Sequence, residues 1–414
     1  MERMTSRGYS YCRCCESGEL TSVLNLGSQP LPAEYGSLPN EVMETFPLEL
    51  KICPACGLGQ IAEYVLPERI FHNTYPYLSS ASSTLRDHAK KYAVQMKQEL
   101  SLDQKDMVLE IASNDGYLLR EFNNLNIRVL GVEPASNVAG IARSFGIDTL
   151  GCFFGKKIAE EMQSNGVRPR LIVANNVFAH VPDMKDFMDG LSALCNEDTI
   201  VTIENPSLVT LLTQNLFDTI YHEHYSYLSA HSVRKIALGS GLTLVKVQRI
   251  STHGGSNRYW LAKRGIVDPS VALMLAEEIQ QGLFSPPAWS SFAHRSQSIV
   301  TAAREWLLEN ERQGRVVVGY GAAHKGNTFL NSIGEASRVL KYVVDASPEK
   351  QGRYLPGSQI PVFAPKELNK ANPTDILILP WNLADEIGSA VREYCPTARI
   401  WIAQPQLKQL FLGS

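Results

Sequence analysis

Nine consecutive residues, Tyr221-His222-Glu223-His224-Tyr225-Ser226-Tyr227-Leu228-Ser229, bring together three tyrosines, two histidines, one glutamate and two serines. Such a run suits neither a helix nor a buried strand, because its donors and charges need partners once they leave water. One reading is a hydrogen-bonded loop that packs its tyrosines on a domain surface. The other is a catalytic loop in which a histidine takes a proton, Glu223 sets its basicity and tyrosine hydroxyls hold a polar substrate. Both His222 and His224 fit the role of base. The H-x-H pattern also occurs in oxygen-activating metal sites, but no third and fourth ligand is evident in the sequence.

A loop of this kind needs a scaffold, and the scaffold has three parts. Five of the eight cysteines lie before residue 57. Cys12 and Cys15 form one C-x-x-C pair, and Cys53 and Cys56 form another that is followed by Gly57. Two such pairs close a tetrahedral thiolate site, and the glycine eases the knuckle turn. Cys14 competes with Cys15 for the first pair. The proline-rich segment between the pairs looks too irregular to fold on a core of its own, so zinc supplies the missing folding energy. Four sulfurs leave no open position, which excludes zinc chemistry.

From residue 105 strands alternate with helices. Met107–Ala112, Arg128–Glu133, Arg170–Asn176 and Thr199–Glu204 read as strands, and 242–247 with 258–262 as a closing antiparallel pair. This pattern predicts a doubly wound α/β sheet with ligands at the strand carboxyl ends. Glu110, the turn Ala112-Ser113-Asn114-Asp115-Gly116 and Glu133 at the end of the next strand fit an adenosine-containing cofactor, S-adenosylmethionine better than NAD. Ala112 stands where such turns usually carry glycine. Ahead of this unit, Tyr75–Ser83 is either a linker with capping serines or a lid of hydroxyl groups over a polar ligand. A last unit repeats the strand–glycine turn–helix pattern at Val316–Asn327, with Asp345 after a second strand. His324-Lys325 replaces the third glycine of a dinucleotide fingerprint, which favours a pyrophosphate site for another ligand over NAD.

In combination these motifs resemble the zinc-containing sugar C-methyltransferases. The resemblance rests on the two cysteine pairs, Tyr75-Pro76-Tyr77-Leu78-Ser79-Ser80, Leu109–Leu119, Asn175–His180, Tyr221–His224, Gly319–Asn327 and Asp345–Arg353. It implies S-adenosylmethionine-dependent methylation of a ring carbon, C-3 in most such enzymes, in a 4-keto-6-deoxy sugar carried on thymidine diphosphate. It further implies a small zinc-binding N-terminal domain (1–72), a Rossmann-like class I methyltransferase domain (73–300) and a Rossmann-like C-terminal domain (301–414) that helps hold the nucleotide sugar. Carried over position by position, His224 is the base, Tyr221 its partner, and Glu223, Tyr75 and His180 the other polar groups at the sugar. Glu110, Ala112, Asn114, Asp115, Gly116, Glu133, Asn175 and Asn176 border the cofactor. Tyr77, Ser79, Ser80, Lys325, Asn327 and Arg353 are the candidate substrate contacts.

Elementary chemistry points the same way. A carbon becomes a nucleophile only after losing a proton, and a neighbouring ketone permits that loss by delocalising the charge. Such a site needs a base near neutral pKa and donors for the carbonyl oxygen, here Tyr75, Tyr221 and His180. A sugar O-methyltransferase or a non-catalytic zinc and Rossmann platform are the alternatives. A net charge of −3 gives no reason to expect nucleic-acid or membrane binding, and the first ten residues lack the apolar stretch of a secretory signal. A cytoplasmic monomer is expected.

Overall fold

The computed structural model describes residues 6–71, 75 and 77–411. Its centre is a seven-stranded sheet of β1 (Met107–Ile111), β2 (Arg128–Val132), β3 (Thr149–Leu150), β4 (Leu171–Asn175), β5 (Ile200–Pro206), β6 (Thr243–Ile250) and β7 (Ser256–Ala262). The spatial order is β6-β7-β5-β4-β1-β2-β3. The first five strands run parallel, whereas β7 is antiparallel to both neighbours. Apolar residues alternate between faces: Leu109, Ile111, Ile172 and Ala174 join one core, and Val108, Leu171 and Val173 the other. A sheet buried on both sides has to read as nearly continuous apolar runs, and these strands do. Between β1 and β4 the winding reverses direction, which opens a crevice at their carboxyl ends.

The C-terminal sheet holds β8 (Val317–Tyr320), β9 (Val343–Val344), β10 (Val362–Phe363), β11 (Asp375–Ile378), β12 (Arg399–Ile402) and β13 (Lys408–Leu410), in the order β10-β9-β8-β11-β12-β13. All but β13 are parallel. The helix Pro286–Arg312 leads into this sheet and passes the expected junction at 300/301 without a break.

The N-terminal segment is more regular than its prolines suggest. Thr21–Gln29, Phe46–Ile52 and Gly59–Ile61 form antiparallel strands, and Leu48, Leu50 and Ile52 are buried. They pack in one core with Leu208 and Phe217, with Trp289 and Phe292 of the long helix, and with Phe329 and Leu377 of the C-terminal unit. Each such side chain contributes roughly 1.5–3 kcal/mol on burial. The expected irregularity is corrected, since the segment forms regular strands, but the core it packs in belongs mostly to distant parts of the chain. Among the described residues no helix is long and apolar enough to cross a membrane.

Candidate active site

The sulfurs of Cys12, Cys15, Cys53 and Cys56 lie within 4.8 Å of one another. Cys12 and Cys56 are 3.5 Å apart and Cys15 and Cys53 3.6 Å. Tetrahedral Zn–S bonds near 2.3 Å require sulfur separations of about 3.8 Å, so the cluster fits zinc. Cys14 is not part of this cluster, and its sulfur lies 3.4 Å from the Ser232 carbonyl, an arrangement that favours Cys15 as the ligand. The second knuckle closes through Gly57, at φ +70°, whose N–H donates to the Cys53 carbonyl.

The zinc knuckles and the loop 221–229 are built together. Ser226–Tyr227 pairs antiparallel with Gly59–Ile61 and so becomes the outer strand of the N-terminal sheet. Arg13, between two knuckle cysteines, donates to the Tyr225 carbonyl and to Ser226 Oγ. Tyr225 Oη donates to the Val65 carbonyl and Ser229 Oγ to the Gly57 carbonyl. His222, 1% exposed, places Nε2 at 3.1 and 3.2 Å from the carbonyls of Phe46 and Pro47. His222 is therefore an anchor on the zinc unit.

His224 faces the other way. Its Nδ1 lies 2.9 Å from the Thr219 carbonyl, which can only accept, so Nδ1 carries the proton. Nε2 is then the basic nitrogen, and it accepts from Tyr221 Oη at 3.0 Å. His180, on the turn Phe178–His180 after β4, approaches His224 with ring centroids 4.9 Å apart. Its Nδ1 donates to the Glu223 carbonyl at 2.6 Å, and burial lowers its pKa to about 4. A neutral His180 with Nδ1 protonated presents an acceptor at Nε2, rather than the donor expected from the sequence.

Glu223 is 2% exposed, and burial pushes its carboxyl up to about 8, so it is mainly protonated at neutral pH. Tyr75 stands near enough for the Glu223 charge to raise its pKa further, after burial. A row of rings links Tyr75 through Phe71 to His180, and on through His224 and Tyr221 to His324, with successive centroids 4.1–5.8 Å apart. All five expected catalytic side chains meet here. Phe71 and His324 were not foreseen; the only sequence signal for His324 was that it broke a glycine fingerprint.

The cofactor turn sits at the crevice between β1 and β4. Among the described residues Glu110 Oε2, Asp115 Oδ1 and Asn175 Oδ1 are buried without a hydrogen-bond partner, a polar set that an adenosine-bearing cation would satisfy. Glu133 accepts from the N–H groups of Asn114 and Ala135 at 3.0 and 2.8 Å. Three non-glycine residues here adopt left-handed backbone: Ala112 at φ +57°, Asn114 at +49° and Asn176 at +55°. Gly116, at φ +75°, caps the following helix. Asparagine tolerates this region and alanine does not, at a cost of roughly 1–2 kcal/mol. Ala112→Gly should therefore stabilise the chain by about 1 kcal/mol, read as a higher melting temperature. An unchanged or lower value would show that the turn relaxes around the methyl group.

Segment 77–80 is clipped onto this turn by backbone. Ser79 N–H donates to Asn114 Oδ1 at 2.8 Å, Ser80 N–H to Asp115 Oδ2 at 3.3 Å, and Asn114 Nδ2 to the carbonyl of Tyr77, itself an exposed side chain. Two of the candidate substrate contacts make hydrogen bonds within the chain. Asn327, 2% exposed, gives its amide to the Pro32 carbonyl, and Lys325 donates to Asn382 Oδ1 while lying over the Trp381 ring. Arg353 is exposed. At the C-terminal glycine turn, Asp345 accepts from Ala322 N–H, while Tyr35 and Lys350 donate to the Ala322 carbonyl. Arg258 is buried in an ion pair with Glu204 and serves as a structural anchor.

Residues 12–71 match the family described as "Putative zinc binding domain", 85–247 the "Methyltransferase domain" and 251–404 the "C-methyltransferase C-terminal domain". Over 388 residues the chain is 34% identical to C-methyltransferase NovU of Streptomyces niveus, covering 92% of each chain. Among solved structures, magnesium protoporphyrin IX methyltransferase of Synechocystis PCC 6803 with bound SAH is similar at 14% identity and TM-score 0.34, over 43% of this chain and 83% of that one. A SAM-dependent methyltransferase from Anabaena variabilis ATCC 29413 is similar at 13% identity and TM-score 0.36, over 46% and 89%. Matched from its cysteine knuckles to its last sheet, the chain belongs to the zinc-containing, S-adenosylmethionine-dependent C-methyltransferases.

Proposed function

We propose that the chain methylates C-3 of a 4-keto-6-deoxy sugar linked to a nucleoside diphosphate, thymidine diphosphate above all, with His224 as the base. The observation that supports this is the tautomer of His224: Thr219 holds Nδ1–H, which leaves Nε2 basic beside Tyr221. Nε2 takes the proton from the carbon next to the ketone, and Tyr221 Oη, displaced from that nitrogen, turns to the sugar oxygens. The protonated Glu223 and the Tyr75 hydroxyl supply donors where negative charge develops on the ketone oxygen. His180 Nε2 receives a sugar hydroxyl. S-Adenosylmethionine supplies an electrophilic methyl group; Glu110, Asp115 and Asn175 border its place. Turnover requires Glu223 protonated, so kcat falls as pH rises through about 8.

The test is hydrogen–deuterium exchange at the carbon beside the ketone, run in D₂O with nucleotide keto-sugars and no methyl donor. Exchange with at least one of them, followed by a new C–CH₃ resonance once methyl donor is added, is expected. A methyl group on oxygen without exchange would replace this reading with O-methylation.

A further inference from the structure

We propose that His324, brought in from the C-terminal unit, is a positioning residue for methyl transfer: its Nδ1–H holds Oε1 of Glu223 and leaves Oε2 to carry the acid proton toward the substrate. The proposal rests on the reading of Glu223 as a group at the sugar. His324 opens the helix His324–Ile333 directly after the glycine turn that follows β8. Its Nδ1 lies 3.5 Å from Glu223 Oε1, with the two side chains 18% and 3% exposed. Its ring meets that of Tyr221 edge-on, 5.8 Å between centroids. Among the described residues Glu223 Oε1 is buried with no hydrogen-bond partner, so His324 Nδ1 stands at ion-pair distance from an unsatisfied acceptor that a small ring rotation would reach. A buried carboxyl with one free oxygen has no fixed orientation, and His324 is the polar side chain that approaches that oxygen.

The surroundings decide the proton count. Besides His324, the titratable groups facing Glu223 are the phenols of Tyr35, Tyr75, Tyr77 and Tyr221. Lys350 stands behind His324, committed to Asp345 and the Ala322 carbonyl, and among the described residues no lysine or arginine pairs with Glu223. Burial, with Lys350 adding to it, lowers His324 to about 3, while Glu223 rises to about 8. At neutral pH the imidazole is therefore uncharged and the acid proton resides on the carboxyl. A neutral imidazole has one N–H, and a neutral carboxyl has one acceptor oxygen and one O–H; the two fit without a charge being buried.

The test follows the protonated-carboxyl infrared band that disappears in Glu223→Gln, titrated in the substrate-free protein. His324→Phe keeps water out but removes the donor, so the band's midpoint should rise by about one pH unit. Turnover should drop about tenfold, with the alkaline limb of kcat moving in step. His324→Asn places an N–H near the Nδ1 position and should restore both. In a Glu223→Gln background the Phe substitution should cost nothing further. An unshifted midpoint in His324→Phe, or equal losses in Phe and Asn variants, would overturn the proposal. If the Phe variant fails to fold, His324→Leu takes its place: a raised midpoint supports the role and a wild-type one refutes it. The infrared readout needs no sugar, so it separates this inference from the choice of substrate.

Discussion

His224→Asn should bind S-adenosylhomocysteine as tightly as the parent and lose turnover by on the order of 10²–10⁴-fold, the range for removing a general base. The asparagine amide superposes on Nδ1, so it still donates to the Thr219 carbonyl that now holds the imidazole at 2.9 Å. The loop keeps its shape, and what disappears is the basic nitrogen facing Tyr221. Calorimetry with the cofactor product and single-turnover kinetics with the keto-sugar measure the two quantities separately. The exchange of the sugar C–H should vanish together with methylation, because the base acts before the methyl group moves. Full activity in this variant would transfer the role of base elsewhere.

Removing zinc should abolish activity and structure together. Structural zinc contributes apparent free energies of about 10–16 kcal/mol, against a total stability of about 5–15 kcal/mol for ordinary domains. The loss is not local, since Ser226–Tyr227 is a strand of the sheet that the zinc knuckles stabilise, and His222 is moored to Phe46 and Pro47. Cys53→Ser, or prolonged chelation, is therefore expected to give insoluble or unfolded protein with no residual methyl transfer. Circular dichroism and a zinc-to-protein ratio check this. A zinc-free chain with native ellipticity and full turnover would contradict the coupling of knuckle and loop.

Much of this was legible in the order of residues. Buried parallel strands announce themselves as apolar runs, and Met107–Ile111 or Leu171–Asn175 have no other good solution. Two C-x-x-C pairs carry their own geometry. What stayed hidden depends on contacts between residues far apart in the chain. Nothing local separates His222 from His224 until the strand Phe46–Ile52 is known to lie behind the first of them. Lys325 and Asn327 look like phosphate ligands at a helix N-terminus, yet their partners, Asn382 and Pro32, come from opposite ends of the chain. Cys14 is set apart from Cys15 only by the position of its sulfur in the folded chain, beside the Ser232 carbonyl. The proline-rich segment between the cysteine pairs looks irregular because many of the residues that Leu48 and Leu50 pack with lie beyond residue 200.

That common core also bears on how such enzymes diversify. Leu50, Phe217, Phe292 and Phe329 come from four separate stretches and fill one interior. Exchanging only the C-terminal third with a relative would leave mismatched volumes in this interior, and close-packed cores lose stability when even a methylene is misplaced. New substrate preferences in this lineage are therefore expected to arise by point changes around the ring-lined cleft, or by replacement of the whole chain, rather than by shuffling of modules.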